Sequence, residues 1–262
     1  MTLAKIPFKE RLRRRELIVG TWIKTPSYIA TEVLAGTDLD VLCLDAEHAA
    51  FDRVTLDACV LACRANAMPV LVRVPSAAPD QVLNALDIGA TGIVVPHVTS
   101  GSIAQAIANA SLYGPGGRGY AGSSRAAHYT RKAMSEHLAD AAAETTIIAQ
   151  IEDRQAVEDI ETIVAIPQID CLFIGRADLA VAYGVDGPGA AVVVAAAERV
   201  CASARKAGKA VGMYLPDVAE LPRWRALGAS FYLLESDHTF LLRGASTLAA
   251  RARSDTGTPH GK

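Results

Sequence analysis

The sequence predicts an α/β protein of the (β/α)8-barrel class. Three observations carry that expectation: eight short apolar runs rich in β-formers, Ala-rich helical stretches between most of them, and a chain of 262 residues. A single barrel of this class needs about 250 residues. Strands covered by helices on their outer side read as near-continuous apolar runs, unlike the alternating pattern of half-exposed sheets. Eight such units in this length favour a closed barrel over an open doubly wound sheet.

The runs fall in order along the chain. The first half carries LIVGTWIKT from Leu17, VLCLDAEH from Val41, PVLVRVP from Pro69 and TGIVVPHV from Thr91. The second half carries TTIIAQIED from Thr145, DCLFIGRADL from Asp170, KAVGMYLP from Lys209 and FYLLESDH from Phe231. The intervening stretches are amphipathic, as from Ser27 to Ala35. Ahead of the first strand, Phe8 and Leu12 are four apart, the spacing of a short helix with one buried face. No linker divides the chain, so residues 1–252 are expected to form one barrel domain with an N-terminal helix. The polar tail, residues 253–262, is expected to be disordered.

Composition excludes several classes of function. Apolar residues make up 51% and charged residues 21%, with a net charge of −2, which gives no field suited to nucleic acid. Every long apolar run is of strand length and is broken by Gly, Pro or charge, so no membrane span is expected. The basic N-terminus (Lys5, Lys9, Arg11, Arg13, Arg14, Arg15) has no apolar core, which excludes a secretory signal. Its helix is expected to pack on the barrel. The five cysteines, Cys43, Cys59, Cys63, Cys171 and Cys201, show neither CxxC spacing nor an even count. They read as small buried side chains, and the expected compartment is the cytoplasm.

Charge within the predicted strands gathers at their C-terminal ends. Asp45, Glu47 and His48 end the second, Arg73 the third and His97 the fourth. Glu152 and Asp153 end the fifth, Asp178 the sixth and Asp237 the eighth. Strands commonly end in polar residues near loops, but that explains poorly a set of acids, histidines and an arginine. In a barrel these ends converge on one mouth, where such enzymes place their chemistry.

Several of these residues have a specific use. Gln150 and Glu152 are two apart and share one side of their strand. With Asp178 one strand over and no Cys or His at ligand spacing, the carboxylate pair suits a hard cation, Mg2+ or Mn2+ first and Co2+ or Zn2+ second. The alternative is salt bridges between neighbouring strands. Arg73 lies in so apolar a strand that it needs an anion, either a substrate oxygen or Asp45 or Glu47. Histidine is the side chain suited by type to exchange protons near neutral pH, which makes His48 the best-placed general base or acid.

The segments LDAEH (Leu44 to His48), LVRVP (Leu71 to Pro75), ALDIGATGIVVPHV (Ala85 to Val98), GPGGRGYAG (Gly114 to Gly122), QIED (Gln150 to Asp153) and GRADL (Gly175 to Leu179) occur in this order. Together they resemble the HpcH/HpaI aldolases, metal-dependent pyruvate aldolases, over nearly the whole chain. The resemblance implies Glu152 and Asp178 as metal ligands, His48 as general base and Arg73 as stabiliser of the transition state. It implies Gln150 and the backbone of Ala177 and Asp178 as holders of a pyruvate or hydroxypyruvate-like 2-oxo acid. Asp87 matches an acid that raises the basicity of the histidine, with Asp45 as second candidate. A homohexamer, a trimer of dimers, with its last helix exchanged between subunits is also implied. Two positions depart from the family pattern: Arg176 stands where Pro is common, and Lys24 where Gly is common. Arg176 is expected to face solvent.

The implied reaction is reversible aldol cleavage. A divalent cation polarises the carboxylate and keto oxygens of the 2-oxo acid, and His48 takes the proton of the C4 hydroxyl as the C3–C4 bond breaks. Arg73 donates to the oxygen that gains charge, and the reverse direction joins the enolate to an aldehyde. The runner-up is a CoA-thioester lyase of the citrate-lyase β type. A Schiff-base aldolase at Lys24 leaves the carboxylate pair without a purpose. A dinucleotide fold at Gly114, Gly116 and Gly119 lacks the preceding strand that its fingerprint requires.

Overall fold

The computed structural model describes residues 6–256. Eight parallel strands close in sequence order into one barrel: β1 (Ile18–Ile23), β2 (Val41–Asp45), β3 (Val70–Arg73), β4 (Gly92–Val95), β5 (Thr146–Ile151), β6 (Cys171–Ile174), β7 (Ala210–Leu215) and β8 (Phe231–Ser236). The ring shuts where β8 pairs with β1, Val19 opposite Tyr232. Each of the eight expected runs contains one strand. The helices are α1 (Phe8–Arg13), α2 (Tyr28–Ala35), α3 (Arg53–Ala65), α4 (Pro79–Asp87), α5 (Gly101–Ser111) and α6 (Met134–Glu144) in the first half. They continue as α7 (Arg154–Glu158), α8 (Ile160–Val164), α9 (Arg176–Tyr183), α10 (Ala191–Lys206), α11 (Leu221–Ala226) and α12 (Asp237–Thr256).

Local signals set the helix starts. The Ser27 hydroxyl accepts from Ala30 N–H, the Asp52 carboxylate from Thr55 N–H and the Ser100 hydroxyl from Ile103 N–H, each satisfying a first-turn donor. At the far end of α9, Gly184 takes a left-handed conformation with φ 67°, which costs glycine little.

Alternation along the strands sorts the buried side chains into two layers. One set, including Leu42, Leu44, Val70, Val72, Ile147, Ala149 and Ile174, packs against the helices. The other, including Ile18, Trp22, Cys43, Leu71, Ile148, Phe173 and Phe231, fills the barrel interior. Phe8 and Leu12 of α1 join this inner set and plug the lower end, with the Phe8 and Phe231 rings 6.1 Å apart edge to face.

Two residues of the basic N-terminal stretch, Lys9 and Arg13, pack onto the barrel through Asp170. Lys9, 5% exposed, donates to Thr145 O at 2.6 Å and lies 3.3 Å from Asp170, which Arg13 also meets at 3.1 Å. All five cysteines are buried and free. Among the described residues no helix is long and apolar enough to cross a membrane. Of the segment expected to be disordered, residues 253–256 belong to α12. Lys5 and residues 257–262 lie outside the described residues.

Candidate active site

The strand period decides what reaches the mouth. Cys43 points inward, so Asp45 two residues on does too. Leu71 carries Arg73 with it, Ile148 carries Gln150, and Trp22 and Phe173 close the floor. A cavity of about 260 Å³ opens there, bordered by Lys24, His48, Arg73, Gln150, Ala177 and Asp178. The structure therefore brings together most of the residues singled out from sequence.

Arg73 is almost wholly buried and doubly engaged. Its Nε donates to Asp45 Oδ1 at 3.0 Å and its Nη2 to Asp45 Oδ2 at 2.8 Å, with Glu47 Oε2 3.2 Å from Nη1. The guanidinium also sits 4.3 Å above the Trp22 ring, a cation–π contact. Ion pairs with Asp45 and Glu47 and a place on the cavity wall thus coexist in Arg73. Lys24 Nζ lies 3.4 Å from Asp45 and is a third exposed. That is not the apolar enclosure an imine-forming lysine requires.

His48 is held at its backbone. Its N–H donates to Asp45 Oδ1 at 3.1 Å, while the ring is 56% exposed with Nε2 3.7 Å from Glu47. Asp45 thus orients the turn that carries His48. Within one chain Asp87 lies apart from His48, the residue the resemblance pairs it with. It ends α4, which runs back down the barrel before β4 starts, and it pairs there with Arg118. A helix that follows a strand ends at the opposite face from the strand's C-terminus, and this puts Asp87 below and His48 above.

Glu152 follows β5 and is only 3% exposed. Its Oε1 accepts the His97 N–H at 2.8 Å, and its Oε2 accepts from the Gln150 side chain. Burial pushes its carboxyl above the usual range against these two hydrogen bonds, and the nearby Asp178 adds to the rise. Gly175 brings the two acids together. A Cβ there would lie 2.9 Å from Glu152 Oε2 and 3.5 Å from Asp178 Oδ2, so both carboxylates front a gap that only glycine leaves. Asp178 and Ala177 sit in the first turn of α9, where backbone N–H groups have no partner inside the helix. Gln150 is buried with its Oε1 unpartnered.

Three features were not read from sequence. Arg176 does not face solvent: it is 7% exposed, its Nη1 lies 2.7 Å from Glu220, and it stacks 5.0 Å from Trp224. Glu220 lies 44 positions away, so no local pattern announces the pair. Glu47, His97 and Glu152 form a cluster whose ligand atoms lie within 4.8 Å of one another. The hydrogen bond with Asp153 at 3.0 Å is the main influence that pushes the His97 imidazole above its usual value. Asp237, also on the rim, is structural: it accepts from Lys24 N and Thr25 N at 2.8 and 2.9 Å, closing the seam beside β1.

Comparison with known proteins agrees with this architecture. The hydroxypyruvate/pyruvate aldolase of Paraburkholderia phytofirmans is 34% identical over 256 residues, covering 95% of this chain and 98% of that protein. The 4-hydroxy-2-oxo-heptane-1,7-dioate aldolase of Salmonella typhimurium is 34% identical over 250 residues, with 94% of each chain covered. Among solved structures, an HpcH/HpaI aldolase/citrate lyase family protein from Burkholderia cenocepacia superposes with a TM-score of 0.88 at 33% identity. It covers 94% of this chain and 98% of its own. The family model described as HpcH/HpaI aldolase/citrate lyase matches residues 19–243, and the chain belongs to that family, a family of carbon–carbon lyases.

Proposed function

We propose that the protein is a divalent-metal-dependent aldolase that reversibly joins the enolate of a pyruvate-type 2-oxo acid to an aldehyde. The observation that carries this reading is the pair Glu152 and Asp178, two carboxylates fronting the gap at Gly175. They stand beside a cavity whose wall bears Arg73 and the unpartnered Gln150 Oε1. Among the described residues, no Lys or Arg stands within ion-pair distance of Glu152, and its neighbour Asp178 is also an acid. A buried carboxylate so placed fits a cation, and an oxygen-rich donor set fits Mg2+ or Mn2+.

A bound cation supplies Lewis-acid polarisation of the 2-oxo acid, which stabilises its enolate. The chain's own groups do the rest. The N–H groups of Ala177 and Asp178 hold the substrate carboxylate at the start of α9. Arg73, fixed by Asp45 over Trp22, donates to the oxygen on which charge grows. His48, exposed at the opening, takes the proton from the hydroxyl of the bond being cleaved and returns it in synthesis. The cavity of about 260 Å³ suits a small acid and falls below the about 300–1,000 Å³ of drug-sized sites, which disfavours a CoA thioester.

A homo-oligomer, with a hexamer as the specific form, belongs to the same reading. Leu241, Leu242 and Leu248 of α12 are each at least 65% exposed, which suits a helix that packs on another subunit. The free cysteines suit the cytoplasm. The deciding experiment measures cleavage and synthesis with pyruvate or hydroxypyruvate and an aldehyde panel. The assay is run after chelation and after restoring single metals, alongside Glu152→Ala and Asp178→Ala. Activity is expected to vanish on chelation and in both variants and to return with metal in the native chain. Full activity in strong chelator overturns the reading.

A further inference from the structure

The face of the barrel opposite the mouth holds a second cavity, of about 200 Å³, at the N-terminal ends of β1, β7 and β8. Arg15, Arg205, Lys209 and Arg225 border it, and none of the residues around it is acidic. Arg15 sits in the turn between α1 and β1, Arg205 in the last turn of α10 and Arg225 in the last turn of α11. Ser230, just ahead of β8, forms part of the wall.

No acid answers these charges. Among the described residues, no ion pair or side-chain hydrogen bond joins Arg15, Arg205 or Arg225 to a partner. The acids near them are engaged elsewhere: Glu16 pairs with Arg11, Asp170 with Lys9 and Arg13, and Glu220 with Arg176. Lys209 donates to the carbonyls of Ile166, Pro167 and Ile169 at 2.9, 3.0 and 2.7 Å, so it adds charge and no free donor. A basic residue in the last turn of a helix offsets the helix dipole, which accounts for Arg205 and Arg225 one at a time. It does not account for Arg15, which belongs to no helix, holds a left-handed φ of 56° and borders the same space.

Ser230 is an independent sign of a ligand. It is 6% exposed, its N–H donates to Val211 O at 2.9 Å and its carbonyl accepts from Ile18 N–H at 2.8 Å. Its hydroxyl alone is buried without a partner. A buried hydroxyl left unmatched costs free energy, which a bound acceptor recovers. A ligand that takes one hydroxyl and several guanidinium forks is an oxyanion of more than one charge. The wall carries no aromatic ring on which a base stacks, so the space suits a compact group.

We propose that this cavity binds a phosphoryl group, with Arg15, Arg205 and Arg225 as guanidinium donors and the Ser230 hydroxyl beside them. The site is separate from the mouth and does not depend on the aldolase reading. A carboxylate offers two oxygens to these three forks, whereas a phosphate ester offers three and pyrophosphate more. Planar forks that meet two oxygens at once are the usual means by which arginine holds phosphate.

The test titrates the full chain with pyrophosphate, glycerol 3-phosphate and citrate by calorimetry, at equal ionic strength and with no divalent cation added. Arg15→Asn, Arg225→Gln and Ser230→Ala are compared with the native chain. Asparagine is chosen at position 15 because it accepts the left-handed backbone there. The expected result is saturable binding of a phosphate compound, weakened by at least about 10-fold in each arginine variant. Ser230→Ala should also weaken binding, yet melt no lower than native without anion, because it removes an unmatched hydroxyl. Tighter binding of glycerol 3-phosphate supports a phosphorylated metabolite as the ligand, and tighter binding of pyrophosphate supports a free polyphosphate. Citrate bound as tightly as either phosphate compound overturns the phosphoryl assignment. A native chain that binds neither phosphate compound, or arginine variants that bind at native strength, overturn the site itself.

Discussion

Asp45 grips Arg73 with both oxygens, at 3.0 and 2.8 Å, and the same carboxylate caps the His48 backbone N–H at 3.1 Å. One buried acid thus sets the position of two residues to which the mechanism assigns work. Burial alone would raise its carboxyl, but hydrogen bonding and charge from Arg73 overcome that and hold it below the usual carboxylate value. A depressed folded value means the pair adds stability above the unfolded pKa of about 3.9, and that stability is lost as pH falls through the lower folded value.

Asp45→Asn should therefore cost about 3–5 kcal/mol near neutral pH, the usual loss when one partner of a buried pair is removed. The gap in melting temperature between native and variant should narrow as the pH is lowered below about 4. Thermal melts from pH 3 to 7 check this. A gap that stays constant across that range removes the pair from the stability argument.

Glu152 carries the opposite sign. Its carboxyl is raised, chiefly by burial, so its contribution to stability is present below the unfolded pKa of about 4.3 and is lost as pH rises through the folded value. In chelator, the melting temperature of Glu152→Gln relative to native should climb between pH 4 and pH 7. Adding a divalent cation should reverse the trend, because the native chain alone gains from binding. Melts of both proteins with and without metal measure the difference.

Most of the barrel was legible because a single physical rule, burial on both faces, marks every strand as an apolar run. The inward set followed from period two, so Arg73 and Gln150 were readable as residues of the cavity wall. What escaped depends on contacts distant in sequence. Arg176 meets a glutamate in the segment after β7, and stacking on Trp224 buries a side chain that its own GRADL context leaves open. Asp87 ends α4 at the face opposite His48 within one chain, a placement set by the direction of the helix and not legible in the motif itself. Glu47 and His97 were visible as rim charges, yet their convergence on Glu152 depends on the turn after β4.

Arg176 ties the start of α9, and so the turn that carries Asp178, to the segment after β7. Its Nη1 and Nη2 meet the two Glu220 oxygens at 2.7 and 3.2 Å. Arg176→Ala should lower stability by about 1.5–3 kcal/mol, the range for charged hydrogen bonds with one partner left partly buried. Arg176→Lys should recover little of it, because lysine lacks the planar fork. Chemical denaturation of the three proteins tests this; full rescue by lysine would show that charge alone matters there.

Arg73 yields the most discriminating measurement. Lysine at this position keeps the charge but loses the fork that meets Asp45 and the planar face over Trp22. If the guanidinium also donates to the enolate oxygen, Arg73→Lys should slow aldol cleavage by about 10²–10³, the usual effect of one lost oxyanion donor. Exchange of pyruvate methyl protons with solvent should slow in parallel, because both reactions pass through the same enolate. A purely structural ion pair predicts another pattern, in which the melting temperature drops while exchange per folded molecule stays near native. Following exchange by NMR and melting in the same preparations separates the two. A destabilised Arg73→Lys that exchanges pyruvate protons at the native rate removes Arg73 from the chemistry and leaves it as the partner of Asp45.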